Sequence, residues 1–485
     1  MKKLYIILFT VVVVMTCSTA SAQSKTSYFM EGSYFRTELN PALAPTRGYL
    51  ALPGMSGVGL NVSNNFVSVD NFLYKRDGEL VTALHSSVSG DEFLGKLPEV
   101  NNLGINANIN ILGVGFYAKK MFWQFGVNLR AQTSVALDKD IFRAVKTLGN
   151  GAYNLDGTSA ALNSYAEAYL GTSFPVCKFV NVGVRAKFLV GVASLDGEFT
   201  EIMANVEPDA VNARVRGTLR ANAILLDQSR IVPGEQFSSD MINMGDMQTL
   251  LSNIKSFGGA IDLGTEVRLF NNSLRISAAV TDLGFIKWSP KTAAATKLTG
   301  NAFFNGYDVK AEKVDYGAEF DFYMDNIPTE SYTTMLNCSL NVGVEYAILR
   351  NHISFGLLSH TEFHNTATIS ELTASVNLRP TNWLSATVSH TFFNHNTPGV
   401  FGFALNLHPA GLNVFVGADY IDCNYVTYKG VPIPRDMKSL NVYAGVGFNF
   451  GRPKHIKAAE QEMKAAYKQK RAAKKAAKKA AQASE

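Results

Sequence analysis

The chain has 485 residues, of which 47% are hydrophobic and 18% are charged. After residue 23 no apolar stretch reaches the roughly 20 residues that a membrane-spanning helix needs, which excludes a helical membrane protein. The net charge of +5 combines unlike parts, because residues 451–485 carry +8, residues 1–22 carry +2 and residues 23–450 carry −5.

The start of the chain has the layout of a secretory signal peptide. Lys2 and Lys3 precede an apolar stretch over residues 4–15, and small residues follow up to Ala22. This order of basic, apolar and small residues is the pattern that signal peptidase cleaves. We expect the mature chain to begin at Gln23.

The cysteines predict neither a disulfide framework nor a zinc site. Cys17 lies within the signal peptide, and a lipoprotein with its lipid on Cys17 is the alternative, although the residues before it are not the usual small ones. Cys177, Cys338 and Cys423 remain, an odd number without paired spacing.

Strands are indicated by a period of two in hydrophobicity. Residues 340–348 place Leu, Val, Val, Tyr and Ile on one face and Asn, Gly, Glu and Ala on the other. The same pattern recurs in residues 123–130, 180–190, 261–269 and 274–281. Strands of about ten residues are typical of tilted membrane-spanning strands, since the mean soluble strand has about 5–6 residues.

Two classes of connection alternate between these strands. The short connections are residues 119–120, 177–178, 271–272, 350–351, 380–382 and 408–411. The long connections are residues 71–102, 137–162, 196–255, 289–333, 364–368, 395–398 and 424–437. Short periplasmic turns and longer external loops are typical of barrels in the bacterial outer membrane.

The alternation predicts an all-β fold, a transmembrane antiparallel β-barrel of about fourteen strands over residues 57–450. The first strand is expected near residues 57–70 and the last near residues 440–450. An even count returns both ends to the periplasm. Residues 213–226 also alternate, so residues 196–255 could hold a further hairpin and raise the count to sixteen.

Two loop segments have helical spacing of apolar residues, Asp140–Leu148 and Asp240–Lys255. We expect surface helices that cap the external mouth, or a lid that grips a ligand or partner. Trp123, Trp288 and Trp383 each fall at a predicted strand end, where an aromatic girdle would meet the membrane interfaces.

The segment 23–56 is too long for a simple lead-in, and it contains Asn40, Pro41 and Ala42. Here the chain resembles the superfamily of the long-chain fatty-acid transporter FadL, and the type IX secretion shuttle barrel PorV looks similar. The resemblance implies a fourteen-stranded barrel whose N-terminal hatch, with an Asn-Pro-Ala motif, sits inside the lumen. The alternative for this tripeptide is a proline-fixed turn in a periplasmic lead-in.

The last strand ends on Phe448 and Phe450. A terminal aromatic residue on the lipid face resembles the signal that the barrel-assembly machinery reads, so that machinery is an expected partner together with outer-membrane lipid. This chain differs from that signal in one respect, because it continues for 35 residues beyond Phe450.

Charged residues on the polar strand faces should point into the lumen, because charge is not tolerated against lipid. We predict lumen positions for Arg130, Arg185, Lys187, Glu266, Arg268, Arg275 and Glu345. These side chains are expected to pair with the hatch, and lining a polar path is the alternative.

His360, Glu362 and His364 share one face of a predicted strand and are metal-ligand residue types. Two of them could share a metal ion, whereas three in line on a straight strand would be stretched, and polar residues at a barrel mouth explain the same pattern. We predict no cofactor and no metal, and these three residues are the candidate ligands if a metal binds. Ser389 and His390 cannot act as a nucleophile and base, because adjacent strand residues face opposite ways. We therefore predict that the protein is not an enzyme.

The segment 451–485 is rich in Lys and Ala, with Ile456, Met463 and Tyr467 on one narrow helical stripe. It should lie in the periplasm, where it could bind the cell wall, anionic lipid or a periplasmic protein, or remain a solvated charge run. Nucleic acid is not a sensible partner for an exported barrel.

Two functions remain in view. The first is a channel of the FadL type that passes a small hydrophobic molecule across the outer membrane, as the resemblance implies. The second is a non-transport scaffold, either associated with secretion as PorV is or anchored to the cell wall by the basic tail. An apolar pocket and a lateral opening would favour the first, and a fully plugged lumen with a stable partner would favour the second.

Overall fold

The computed structural model describes residues 25–52, 57–76, 79–147, 151–154, 157–207, 210–226, 230, 232, 247–305, 318–327, 330–364, 368–393, 399–421, 425–428, 431–434, 439–458, 461–462, 465, 469 and 472. The predicted signal peptide and Cys423 lie outside these residues. Of the other cysteines, Cys177 and Cys338 are free thiols.

The strands are β1 (Gly48–Ala51), β2 (Val58–Asn64), β3 (Leu73–Arg76), β4 (Glu79–Thr82), β5 (Val100–Ala118), β6 (Met121–Asp138), β7 (Gly151–Asn154), β8 (Ser159–Pro175), β9 (Val180–Glu207), β10 (Ala210–Ala223), β11 (Phe257–Leu269), β12 (Leu274–Trp288), β13 (Ala293–Asn305), β14 (Ala318–Ile327), β15 (Tyr332–Met335), β16 (Cys338–Ile348), β17 (Ile353–Phe363), β18 (Thr368–Thr381), β19 (Leu384–Phe393), β20 (Val400–Leu407), β21 (Asn413–Ile421), β22 (Tyr425–Tyr428), β23 (Val431–Pro434) and β24 (Ser439–Phe450).

The helices are α1 (Arg36–Leu39), α2 (Val69–Phe72), α3 (Gly90–Leu94), α4 (Lys139–Thr147) and α5 (Met247–Ser252), with a 3-10 turn at Pro290–Thr292. None of these helices is long and apolar enough to cross a membrane. The helix predicted from Asp140 is α4. Of the helix predicted over residues 240–255, the structure describes residues 247–255, and α5 covers six of them.

Fourteen strand positions close the barrel. The ring runs β2, β5, β6, β8, β9, β11, β12, β16, β17, β18, β19, β20, β21 and β24, and β24 pairs back onto β2. All of these pairings are antiparallel. β1 continues the position of β2, and β15 continues that of β16. The predicted fourteen-stranded antiparallel barrel is confirmed.

The first wall strand starts earlier than predicted. β1 begins at Gly48 and pairs with both β24 and β5, so the wall begins before residue 57. The strand expected to run to residue 70 ends at Asn64, because Ser68 caps α2 there by accepting from the Asn71 backbone N–H at 3.2 Å.

The period of two separates a lipid face from a lumen face. In β16, Leu340, Val342 and Val344 point outward and are exposed, whereas Asn341 and Glu345 point inward and are 0% and 1% exposed. Phe448 and Phe450 are exposed on the outer face in the same way. A closed barrel with an apolar outer face and a polar inner face is an outer-membrane β-barrel.

The long connection 196–255 does contain a hairpin, but the hairpin does not add a ring position. Residues 180–190 of β9 pair with β11, while residues 193–207 of the same strand pair with β10. β10 then pairs with β13, and β13 with β14, beyond the end of the ring. The barrel therefore stays at fourteen strands, not sixteen.

A β-bulge in β12 corrects one prediction. The register with β11 shifts between the pairs Ile261–Leu283 and Leu263–Val280, and Asp282 adopts a left-handed φ of 60°. A bulge reverses which residues face inward beyond it. Trp288 is therefore buried at 0% exposure instead of lying in the girdle, whereas Trp383 is 47% exposed.

Candidate functional site: the plugged lumen

Residues 25–47 run inside the barrel, and we call them the plug. Nearly every residue from 25 to 43 is buried, and Glu31 is the half-buried exception. The plug hydrogen-bonds to wall strands on several sides of the ring, for example from Asn108 of β5 to Glu38 at 3.2 Å and from Asn341 of β16 to the Leu39 carbonyl at 2.9 Å. These contacts fix the plug against the wall.

The tripeptide at residues 40–42 lies at the centre of these contacts. The Asn40 side-chain oxygen accepts from the Ala42 N–H at 2.9 Å, which makes a local turn, and its amide donates to the Tyr28 hydroxyl at 3.1 Å. The Ala42 carbonyl accepts from Asn181 of β9 at 2.6 Å and from Ser173 of β8 at 3.2 Å. The tripeptide thus folds on itself and bonds to the wall.

Two wall glycines make room for this turn. A Cβ at Gly183 would lie 2.2 Å from the backbone nitrogen of Ala42, and one at Gly264 would lie 2.1 Å from the Asn40 side-chain oxygen. Such distances are sterically forbidden. Glycine is required at these two positions because plug and wall approach so closely.

Residues 29 and 31 of the plug are held by arginines of the wall. Arg275 of β12 pairs with Glu31 of the plug and lies 3.3 Å from Glu345 of β16. Arg379 of β18 contacts Glu345 at 2.6 Å and donates to the Phe29 carbonyl. Two wall cations therefore share one buried carboxylate while each bonds to the plug.

The first described residues of the plug are anchored on β18, β19 and β21. Lys25 pairs with Glu371 of β18 at 2.5 Å, and its backbone N–H donates to Asp419 of β21 at 3.0 Å. The Thr26 hydroxyl lies 2.6 Å from the Ser389 hydroxyl of β19. β18 therefore bonds to the plug at two places, through Glu371 and through Arg379.

A second set of charges, the charged belt, joins wall strands to each other. Arg130, Glu167, Lys187, Asp262 and Asp282 come one each from the five consecutive ring strands β6, β8, β9, β11 and β12, and all five are at most 5% exposed. Arg130 lies 3.0 Å from Asp282 and 3.2 Å from Glu167, and Lys187 lies 2.8 Å from Asp262 and also contacts Asp282. Asp262 faces inward by the regular alternation of β11, and the bulge brings Asp282 to the same face.

The remaining predicted lumen charges divide between wall and plug. Arg185 donates to the Thr37 carbonyl of the plug at 2.7 Å and to Gln124 of β6 at 3.0 Å. Glu266 and Arg268 pair with each other at 2.6 Å on β11. Of the seven predicted lumen charges, Arg185 and Arg275 contact the plug directly, and Arg130 and Lys187 belong to the charged belt.

Aromatic side chains from plug and wall stack in another part of the lumen. This aromatic cluster comprises Met30, Tyr34, Phe35, Tyr49, Ala51, Phe122, Ala404, Phe415 and Tyr443. Ring centroids of Phe35 and Phe415 lie 5.0 Å apart, and those of Tyr34 and Tyr49 lie 4.4 Å apart. A smaller apolar cluster inside the barrel comprises Tyr28, Phe29, Leu39, Leu43 and Leu358.

The aromatic cluster lies behind an interruption in the wall. Leu50 pairs with Phe448 and Val58 with Ala444, so these two pairs are separated by seven residues between β1 and β2 and by only three within β24. A Cβ at Gly57 would lie 2.4 Å from the Phe35 ring. Phe35 therefore packs against the chain where regular pairing between the two strands is broken.

His360, Glu362 and His364 do not gather around one point. Glu362 lies 4.0 Å from the Nε2 atom of His360 through one oxygen and 3.5 Å from that of His364 through the other. The Nδ1 atom of His360 is bonded to Asn341 at 2.7 Å. Within the described residues, no group of three or more His, Cys, Asp and Glu side chains could hold a metal ion.

Ser389 and His390 face opposite sides of β19. Ser389 is buried and bonds to Thr26 of the plug, whereas the His390 ring packs edge-on against Phe392 and Phe401. A nucleophile and base pair between these two neighbours is therefore excluded by geometry.

An external cap covers one side of the long-loop end. Its core comprises Phe66, Tyr74, Ala83, Val88, Phe93, Leu94 and Leu97, with Phe72 and Phe142 packed against it. Lys96 lies 3.9 Å from the centroid of the Tyr74 ring, and burial raises the pKa of the Tyr74 hydroxyl. The predicted capping helix α4 contributes Phe142 to this core.

The sequence alone did not identify Arg379, Lys25, Glu31 or Asp282 as lumen residues, for different reasons. Arg379 follows Ser375 and Asn377 at a spacing of two, so the alternation of β18 could have identified it as a lumen-facing residue. Lys25 and Glu31 lie in a segment without periodicity, and no pattern indicates their partners. Asp282 faces inward only because of the bulge.

A family model described as a family of unknown function, DUF5723, matches residues 41–419. The chain belongs to that family. No curated protein matches this DUF5723 barrel significantly.

Several solved structures are similar to the DUF5723 barrel in architecture. The toluene transporter TbuX of Ralstonia pickettii is 9% identical, over 90% of this chain and 95% of that one, at a TM-score of 0.38. The toluene transporter TodX of Pseudomonas putida is 9% identical over 89% and 95%, at 0.37. A FadL homologue of Pseudomonas aeruginosa is 7% identical over 89% and 96%, at 0.38. These identities leave the cargo of this chain open.

Proposed function

We propose that this barrel is an outer-membrane channel for a small hydrophobic molecule, with the plug acting as a hatch. The observation that carries the proposal is the position of the aromatic cluster behind the interrupted pairing of β1 and β2 with β24. An apolar solute gains free energy when it leaves water for apolar surface. The cluster is a place where such a solute could rest between lumen and lipid.

A polar surface of the lumen supports the same proposal by contrast. The faces of β18 and β19 that meet the plug carry hydroxyl and amide groups, such as Thr373, Asn377 and Thr391, which offer an apolar solute no gain. Ligand sites in proteins are lined mainly by apolar and aromatic side chains. Of these two lumen surfaces, the aromatic cluster therefore has the lining that a hydrophobic cargo needs.

The hatch role follows from how the plug is held. Its anchors are ion pairs and hydrogen bonds, such as those of Lys25 with Glu371 and of Arg275 with Glu31. Three cluster members, Met30, Tyr34 and Phe35, belong to the plug itself. A shift of the plug would therefore open the cluster, and the noncovalent anchors would allow that shift without unfolding the wall.

A reversible crosslink tests the proposal. The hydroxyls of Thr26 and Ser389 are 2.6 Å apart, so the variant T26C/S389C should form a disulfide between plug and wall. Vesicles containing the protein in a C177S background would be supplied with N-phenylnaphthylamine, a hydrophobic fluorescent probe. We expect uptake to fall several-fold in the oxidised variant and to recover on reduction.

The matched control crosslinks two wall strands to each other and leaves the plug unlinked. Thr373 and Thr391 face each other in β18 and β19 with their hydroxyls 2.9 Å apart, so T373C/T391C should crosslink equally well. Uptake through this control should be unaffected by oxidation. Equal uptake by protein-free vesicles and the unmodified barrel would rule out the channel, and unchanged uptake in the locked plug would rule out the hatch.

A further inference from the structure

The connections at the short-turn end of the barrel carry only one sign of charge. The six turns that join β5 to β6, β8 to β9, β11 to β12, β16 to β17, β18 to β19 and β20 to β21 contain Lys119, Lys120, Lys178 and Arg350. All four are exposed, and none of the six turns contains Asp or Glu. The long-loop end differs, since exposed Asp91 there is one of several acids among basic residues.

The same turns expose large apolar side chains. Phe270 is 75% exposed, Val176 64%, Phe179 57% and Leu349 53%, and Trp383 and Leu412 are also exposed. These residues lie on neighbouring turns, because β9 pairs with β11 and β12 with β16. This end, which we call the basic rim, therefore combines Lys and Arg on three turns with exposed apolar side chains on five.

Two of these apolar residues occupy unfavourable backbone positions. Phe270 and Leu349 open their turns with φ values of 50° and 48°, followed by Asn271 and Arg350, which are also left-handed. Gly and Asn fit the left-handed region best, and a bulky residue there is uncommon. Such costly positions are found mainly where a side chain has a function, so Phe270 and Leu349 are candidates for a binding role.

We propose that the basic rim binds the head groups of anionic phospholipids in the periplasm-facing leaflet of the outer membrane. The short-turn end faces the periplasm in barrels of this kind. There Lys and Arg would contact lipid phosphates, while Phe179, Phe270 and Leu349 enter the boundary between head groups and acyl chains. The rim thus selects the lipid that surrounds one end of the channel.

The start of the basic segment extends the rim. The His455 ring packs edge-on to Tyr117 of β5, with centroids 5.4 Å apart, next to the turn that holds Lys119 and Lys120. Burial, together with the nearby cations Lys120 and Arg268, lowers the pKa of His455. Lys454 and Lys457 are exposed beside it. The cationic surface therefore continues into the segment 451–485, whose sequence carries +8.

The apolar side chains distinguish lipid from the other acidic surface of the periplasm. The cell-wall polymer offers carboxylates but no apolar layer, so exposed Phe270 and Leu349 would gain nothing from it. A lipid interface offers both phosphate and hydrocarbon. The pairing of charge and apolar surface on one rim favours phospholipid.

Lipid retention measured on the full chain tests this inference. The protein would be mixed in detergent with equal amounts of phosphatidylglycerol and phosphatidylcholine, and the bound lipids counted by native mass spectrometry. We expect phosphatidylglycerol to be retained several-fold more. The variant K119Q/K120Q/K178Q/R350Q should lose most of that preference, and F270N/L349N should reduce retention of both lipids.

A matched variant removes four exposed cations from the other end, K75Q/R143Q/K287Q/K291Q. It should keep the preference, and an equal loss there would overturn the assignment to the basic rim. An unchanged preference in the rim variant would also overturn it. So would rim-dependent sedimentation with cell-wall sacculi in the absence of any lipid preference. None of these results depends on probe uptake, so the channel proposal is tested separately.

Discussion

The charged belt and the plug anchors are both buried ionic networks, yet they join different parts of the molecule. The belt links five neighbouring strands of the wall through Arg130, Lys187 and their acidic partners. The anchors link the wall to a segment that is not part of it, as Arg379 does through the Phe29 carbonyl. The belt should therefore govern the stability of the barrel, and the anchors should govern the position of the plug.

The largest effect should come from breaking the belt. K187M removes the cation shared by Asp262 and Asp282, which are both at most 2% exposed, and leaves their charges under-compensated. Removing one partner of a buried pair typically costs about 3–5 kcal/mol. Unfolding by urea in detergent micelles, followed by tryptophan fluorescence, measures this loss. K178M, which changes an exposed turn lysine, should unfold as the unmodified protein does.

A smaller and more local effect should follow from cutting an anchor. R379Q removes the donor to the Phe29 carbonyl and one of the two cations on Glu345. A hydrogen bond from a charged group is worth about 1.5–3 kcal/mol. Hydrogen exchange should therefore speed up in residues 25–39 while the strands of the wall keep their protection. Equal acceleration in plug and wall would contradict the division between anchors and belt.

The smallest change is one methyl group at the contact of plug and wall. G183A places a Cβ 2.2 Å from the Ala42 nitrogen, so the tripeptide must move, at a cost of about 1–3 kcal/mol for overpacking. The control G259A meets only the Lys187 carbonyl oxygen, at an ordinary 3.7 Å. Protease sensitivity of the plug should rise in G183A alone. If both variants behaved alike, the fit around Gly183 would not position the plug.

Much of the wall could be predicted because the alternation within each strand shows which residues face lipid and which face the lumen. The sequence alone assigns Leu340 to the lipid face and Glu345 to the lumen face, since charge is not tolerated against lipid. The two asparagines in the sequence located the turn at residues 270–272. The sequence did not show that the Phe270 side chain is exposed there. Trp288 was misplaced because a bulge at Asp282 depends on pairing with β11, which the local pattern does not record.

The sequence by itself determined the fold class and the faces of most wall residues, because these follow from alternation and strand length. Only the pairing of β10 with β9 and β13 decided between fourteen and sixteen ring strands. Only the tertiary structure decided which charges meet. Arg275 and Glu31 are 244 positions apart along the chain, and Arg130 and Asp282 are 152 apart. The tertiary structure also placed the plug against Gly183 and Gly264, since closing the ring brings together strands whose local patterns are independent of one another.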